Sequence, residues 1–415
     1  MTGTSADSGD RILITKQPIL DAKRRIWGYE LTAGGSAGSF ASRESAAESL
    51  ASSSYVGLQE AMDRGKRVVL GFDGKAVADL VPYALPPGHG VIRVPAEAGD
   101  APGALAALAR MKADGFLLIT DAAPETFPKT KIYALADIIA FDPGFPKLAA
   151  AKFSIKAKGL GAELMARRVS GLEQFEAAKN AGFALFQGAF FKEPEIMPDR
   201  KLTSHEISRV RMFRAIEAEE PDFDVLAEAI KADVSVSFRL LTYLNSASFG
   251  FSQKIDSIHR AIGLLGWEKV RNWLRAVLLA DMAGKDDGQR ELLNLSLQRG
   301  RFLELLAEEY DYWGFNPGTL FLLGLFSLLD AILGMPMSEV VELLPLDAKL
   351  KSALRRESNN EYQPLFELIS CFEDGDHAAA ETLIQNLSFD PEDVRARYRQ
   401  AMDWGNAFCA VPGAK

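Results

Sequence analysis

The chain has 415 residues, too many for one ordinary core, so two domains are expected. Its 48% hydrophobic and 25% charged residues are a globular composition, which excludes a largely disordered protein. A formal net charge of -9 argues against general affinity for nucleic acid or an anionic membrane, and two cysteines, Cys371 and Cys409, make no disulfide framework and fit a reduced cytoplasm.

Residues 1–10, MTGTSADSGD, lack the basic start and apolar run of a secretion signal and read as a frayed polar arm. From 11 to 198, short apolar runs alternate with amphipathic stretches. Strands are expected at 11–15, 67–71, 90–94, 116–120, 138–141, 163–167 and 183–186. Helical patterns follow most of them; 171–179, for example, is closed by Asn180 and Gly182. Apolar strands alternating with helices imply a parallel sheet covered on both faces, and so many repeats favour a (β/α) barrel over an open sheet. In such barrels the working residues sit at the C-terminal strand ends. Those ends offer Glu30, Gly71, Arg93, Asp121, Asp142, Ser170 and Gln187, which do not make a metal cage.

The strand rhythm stops near Leu202. Helices are expected at 224–231, 235–245, 257–265, 268–283, 291–310, 320–333, 339–344, 348–355, 362–373, 377–386 and 391–406, with Ser257 as an N-cap. The apolar run 320–333 is broken by Gly324, Ser327 and Asp330 and is short for a bilayer span, so no membrane segment is expected. It reads as the central core helix of a bundle. Phe302, Trp267, Trp273 and Trp313 read as core aromatics. His89, His205, His259 and His377 stand beside no other donor at zinc spacing and read as solvent-facing, so no metal site is expected. Scattered arginines at 209, 211, 214, 271 and 275 on an acidic chain read as solvated helix faces and ion pairs, not a nucleic-acid surface.

Two strings carry a resemblance in the first half. Gln17-Pro18-Ile19-Leu20-Asp21 through Trp27-Gly28-Tyr29-Glu30-Leu31 resembles the first strand of an EAL domain, the cyclic-di-GMP phosphodiesterase module, and Phe186-Gln187-Gly188-Ala189-Phe190-Phe191 resembles its last. The resemblance implies a TIM-like barrel over 11–198. Active members hold two divalent cations with strand-end carboxylates and an asparagine, and a lysine helps position the attacking water. Carried over by position, the signature acid is Glu30, the asparagine falls on Gly71, the next glutamate on Arg93, the paired aspartates on Asp121 and Ala122, the lysine on Ala140, a further glutamate on Ser170, and the closing glutamine is Gln187. Arginine has no lone pair for a metal, and its charge repels one. Too few donors remain for a tight Mg²⁺. The retained Glu30, Asp121, Asp142 and Gln187 read as isolated polar groups, solvated or bonded to loop backbone.

In the second half, Leu244-Asn245-Ser246-Ala247-Ser248-Phe249-Gly250 and Ala261-Ile262-Gly263-Leu264-Leu265-Gly266-Trp267 resemble HDOD, the output-domain relative of the HD phosphohydrolases. Catalytic HD enzymes place adjacent His and Asp ligands where this chain has Ser327 and Leu328 in Gly324-Leu325-Phe326-Ser327-Leu328. The expected layout is therefore an arm at 1–10, a degenerate EAL barrel at 11–198 and an all-helical HDOD domain at 199–412. The resemblance implies a bacterial, cytoplasmic signalling protein that is not an enzyme, needs no metal or cofactor, and acts through unidentified protein partners. A homodimer is left open. The alternatives are a cyclic-di-GMP receptor that binds weakly without cleavage and, behind it, a residual metal-dependent phosphodiesterase.

Overall fold

The computed structural model describes residues 13–33, 62, 64–122, 127, 130–142, 157–197, 200–218, 221–224, 226, 230, 236, 242, 258–310, 314–358 and 360–410. The arm 1–10, most of the expected helices 224–231 and 235–245 with the string at 244–250, the cap at Ser257, Trp313 and the side chain of His259 lie outside them. The chain divides into two compact units, Met1–Ala189 with Ser370–Asn386, and Phe190–Ile369 with Leu387–Lys415. The sequence reading assigns 370–386 to the helical domain; by its contacts that segment belongs with the barrel.

In the first unit eight strands close a barrel in chain order: β1 (Ile14–Asp21), β2 (Ile26–Ala33), β3 (Arg67–Gly71), β4 (Gly90–Val94), β5 (Leu117–Asp121), β6 (Ile138–Phe141), β7 (Glu163–Ala166) and β8 (Leu185–Gln187). The strands β2 to β8 run parallel, whereas β1 is antiparallel to both β2 and β8. This corrects the expectation of a parallel sheet throughout. Residues 17–31, expected as one strand, are the end of β1, a turn and most of β2. The link 22–25 is far too short for a parallel crossover and can join only antiparallel neighbours. It is pinned by Asp21, whose Oδ1 accepts from the N–H groups of Lys23 at 2.8 Å and Arg25 at 2.9 Å. The expected last strand, 186–191, stops at Gln187 and passes into a 3-10 turn, Ala189–Lys192.

Alternation along each strand sorts side chains into inside and outside. The inward set Ile19, Val69, Val91, Ile119, Ile138, Met165 and Leu185 forms one buried apolar cluster that fills the barrel. Helices α1 (Gly74–Ala78), α2 (Ala104–Ala113) and α3 (Leu172–Asn180) follow β3, β4 and β7.

The second unit is helical. Its elements include α4 (Ser204–Ile216), α5 (Ile258–Leu265), α6 (Trp267–Met282), α7 (Asp287–Glu309), α8 (Pro317–Phe326), α9 (Leu329–Leu333), α10 (Met337–Leu343) and α11 (Ala348–Leu354). Beyond them lie α12 (Gln363–Glu373), whose last turn from Ser370 belongs to the barrel unit, α13 (His377–Asn386), which belongs to the barrel unit entirely, and α14 (Pro391–Ala410) of the helical unit. The helix α4 was not expected. Thr203 and Glu206 form a reciprocal capping box there, a signal legible in Thr203-Ser204-His205-Glu206. The central rod is α7, packed on α8 and α14. Phe302 and Trp273 are buried, as expected of core aromatics; Trp273 stacks on Phe408 at 5.2 Å between ring centres, and Phe302 meets Tyr398 edge-on. Trp267 is only partly covered and packs edge-on against Phe223.

Candidate functional site: the barrel mouth

One step further along each strand, at the C-terminal strand ends, the same inward alternation sets a ring that is polar except at Gly71 and Ala140. Each member lies two residues from a core residue on its own strand or its continuation: Gln17 from Ile19, Gly71 from Val69, Arg93 from Val91, Asp121 from Ile119, Ala140 from Ile138, Arg167 from Met165 and Gln187 from Leu185. Glu30 on β2 completes it, opposite Gln17 across the β1–β2 pairing. Because β1 is antiparallel, its N-terminal part reaches this end of the barrel.

The ring is wired together. Arg93 makes a two-pronged pair with Asp121, Nε to Oδ1 at 3.0 Å and Nη2 to Oδ2 at 2.7 Å, while Nη1 donates to Glu30 Oε1 at 2.5 Å. Arg167 reaches Glu30 Oε2 at 3.4 Å and donates from Nε to Gln187 Oε1 at 3.0 Å. The Gln187 amide donates to Glu30 Oε2 at 2.6 Å and to Gln17 Oε1 at 3.1 Å. Glu30 is buried. Burial pushes its carboxyl up, but the guanidiniums of Arg93 and Arg167 and the Gln187 amide outweigh that and hold its pKa below the ordinary value. Burial likewise disfavours the charged form of Arg93, and Glu30 and Asp121 outweigh it in the other direction.

Gly71 and Ala140 stand beside the charged residues, in register with Arg93 and Asp121 respectively. Their small side chains leave room for two guanidiniums. Ala122 contributes backbone alone, its N–H donating to the Ala140 carbonyl at 2.8 Å. Ser170 is exposed, its backbone N–H bonded to Gln174 at 3.0 Å. Asp142 is on the rim, bonded by Arg168 Nε at 2.8 Å. Of the sequence-expected positions, the structure therefore joins Glu30, Arg93, Asp121 and Gln187 and leaves Ser170 and Asp142 outside. It adds Gln17 and Arg167. Arg167 closes the expected strand 163–167, so strand-end position alone could have flagged it.

The ring does not fit a divalent cation. Such an ion needs several oxygen ligands with free lone pairs converging at about 2.0–2.2 Å. Here both oxygens of Glu30 and both of Asp121 already accept from guanidinium or amide N–H groups. Two arginines balance two carboxylates, so a dication would enter a ring that is already neutral and would meet Arg93 head-on.

The corresponding place in the helical unit has a similar occupant. The run expected as one helix at 320–333 breaks into α8 and α9 at Ser327 and Leu328. Ser327 is buried; its Oγ donates to the Gly324 carbonyl at 2.7 Å and accepts from Arg299 Nη1 at 2.9 Å. Leu328 is buried as well. Burial raises the Asp330 pKa, and Arg356 and Arg299 only partly offset it. A buried arginine and a leucine offer a metal nothing. Among the described residues, no group of three or more His, Cys, Asp or Glu side chains is placed to hold a metal ion, and no helix is long and apolar enough to cross a membrane.

A closed eight-stranded barrel followed by a helical region defines the class, and the family and relatives that match the sequence agree with it. The HDOD domain family matches residues 204–349. A Vibrio cholerae protein named cyclic di-GMP phosphodiesterase CdgJ is 30% identical over 403 residues, covering 94% of this chain and 91% of that protein. The uncharacterized protein YuxH of Bacillus subtilis is 28% identical over 405 residues, covering 95% of this chain and 98% of its own length. Among solved structures, the manganese/cyclic-di-GMP complex of Klebsiella pneumoniae BlrP1 at pH 9.0 is 18% identical with a TM-score of 0.35, over 45% of this chain and 56% of that one. A Listeria monocytogenes EAL domain protein is 16% identical with a TM-score of 0.34, over 46% and 93%. The chain belongs to the EAL–HDOD family of cyclic-di-GMP-related signalling proteins.

Proposed function

We propose that this protein is a non-catalytic member of its family, a signalling scaffold whose barrel keeps the architecture of a phosphodiesterase without its metals and which acts through protein contacts. The observation that carries this reading is Arg93, set between Glu30 and Asp121 with its donors on both carboxylates. Two-metal hydrolysis needs those oxygens free to hold cations that activate water and neutralise the leaving group. An arginine supplies charge but cannot generate a hydroxide nucleophile. The buried Arg299–Ser327 contact in the helical unit supports the same reading for the second hydrolase-derived fold.

The rival reading is turnover, and the name of the 30% identical Vibrio cholerae relative favours it. The purified full chain, incubated with cyclic-di-GMP and excess Mn²⁺, is expected to give no linear dinucleotide above the level of a Glu30→Gln variant. Metal-dependent product that Glu30→Gln abolishes would establish the phosphodiesterase reading instead. Binding without cleavage is separated from both by calorimetry of the same protein with cyclic-di-GMP and no metal. The scaffold reading expects no heat of binding.

A further inference from the structure

The polar ring is continued, on the β1–β2 side, by a piece of chain far away in sequence. Gln17 Nε2, whose Oε1 accepts from Gln187, donates to the backbone carbonyl of Glu373 at 2.9 Å. A continuous path of hydrogen bonds therefore runs from Asp121 through Arg93, Glu30, Gln187 and Gln17 to residue 373.

Residues 371–377 are built to make a compact knob. At the end of α12 the Asp376 N–H bonds the Cys371 carbonyl at 2.8 Å and the Gly375 N–H bonds the Phe372 carbonyl at 3.1 Å. These are the paired bonds of a Schellman motif, with Gly375 at φ +68° as its left-handed residue. The chain then restarts at once, because the Asp376 side chain accepts from the Ala379 N–H at 3.0 Å and caps α13. The tip of this hairpin lies on the barrel mouth. A Cβ placed on Gly375 would be 3.5 Å from Thr32 Cβ and 3.6 Å from Thr15 Oγ1, ordinary van der Waals contact. His377 Nε2 lies 3.5 Å from Thr15 Oγ1, and Glu373 is buried. Thr15 and Gln17 on β1 and Thr32 on β2 are all at the strand ends that bear Glu30.

We propose that the 373–377 turn is a plug carried by the chain itself, seated on Thr15, Gln17 and Thr32, and that the β1–β2 sector of the barrel mouth is its docking seat and not an open ligand cleft. The seat is made of short hydroxyl and amide side chains. One of its donors, the Gln17 amide, is already spent on the Glu373 carbonyl. A ligand that is to reach Glu30 and Gln187 from that side must first displace the hairpin. The inference goes beyond the scaffold reading and stands on different contacts: it holds whether or not the barrel turns over a nucleotide.

The test uses the full chain with Cys371→Ser and Cys409→Ser, to which Thr32→Cys and Gly375→Cys are added. The Cβ separation falls inside the range a disulfide spans. Mild oxidation is expected to join the two positions in most molecules, read as one linked peptide by mass spectrometry. Two free thiols in a protein with unchanged circular dichroism would overturn the proposal. A second arm does not depend on a cysteine at the left-handed position. Gln17→Ala is expected to speed amide exchange across 370–386 by roughly three- to tenfold, the loss of one hydrogen bond, while exchange in α2 stays as it was. Unchanged exchange across 370–386 would likewise overturn it.

Discussion

Replacing Arg93 with alanine is expected to destabilise the barrel by about 3 kcal/mol, read as a lower urea midpoint of its unfolding transition. The reason is asymmetric. Arg93 and Glu30 offset each other's burial, and removing one leaves a buried carboxylate with only the more distant Arg167, at 3.4 Å, and the Gln187 amide. Glu30→Gln combined with Arg93→Met removes both charges, leaves Asp121 facing Arg167 at 3.8 Å, and is expected to recover much of the loss. A pH dependence follows from the same ring. The Glu30 pKa is depressed in the folded state, so its contribution is present above the ordinary value of 4.5 and is lost as pH falls through the lower folded value. In Arg93→Ala the burial that raises this pKa remains and its main counterweight is gone. The acid limb of the stability curve should therefore move to higher pH in the variant. A variant as stable as the parent, with an unchanged acid limb, would show that the ring is not holding the mouth.

Gly324→Ala is expected to cost the helical unit about 3 kcal/mol, the upper end of what overpacking does. A Cβ at Gly324 on α8 would lie 2.4 Å from the Gly300 nitrogen and 2.5 Å from the Arg299 carbonyl oxygen on α7, both backbone atoms with nowhere to go. Gly300 is tight in return, 2.9 Å from the Phe321 carbonyl oxygen. The two helices approach backbone to backbone at this crossing, which buries Ser327 and Arg299 close by. The midpoint of the helical unit's thermal transition should fall by roughly 6–12 °C while the barrel's stays in place. Gly314→Ala is the comparison: nothing lies within 4 Å of a Cβ there, but the residue sits at φ +64°, so any loss comes from backbone strain alone and should be smaller.

The strands β3 to β8 were legible because each is a short apolar run, buried almost without interruption as a sheet covered on both faces requires, and their expected bounds differ from the observed ones by at most two residues. The β1–β2 hairpin was not. Its turn, Asp21-Ala22-Lys23-Arg24-Arg25, carries no glycine or proline to mark it, and Arg24 takes φ +60° without one. The resemblance of 17–31 to a single strand therefore hid a reversal, and with it the fact that Gln17 faces Glu30. The ring shows a second limit. Glu30, Arg93, Asp121 and Gln187 were each identifiable as strand-end residues, but read singly they looked like solvated leftovers. Only the side-by-side pairing of β2 to β5 brings residues 63 and 28 positions apart onto one guanidinium. In the helical half the run 320–333 read as one helix although Ser327 interrupts its apolar residues; the break falls at that serine, which is satisfied by its own helix carbonyl and by Arg299, a partner on another helix.

A thermal titration with Mn²⁺ tests most directly the proposal that guanidiniums stand in the place of divalent cations at the barrel mouth. A site loaded to a hundred times its dissociation constant would add about 2.7 kcal/mol to the folded state, a clear rise in the barrel's midpoint. The midpoint is expected to be independent of Mn²⁺ concentration, in the parent and in Glu30→Gln alike. A saturable rise in the parent that Glu30→Gln removes would contradict the proposal.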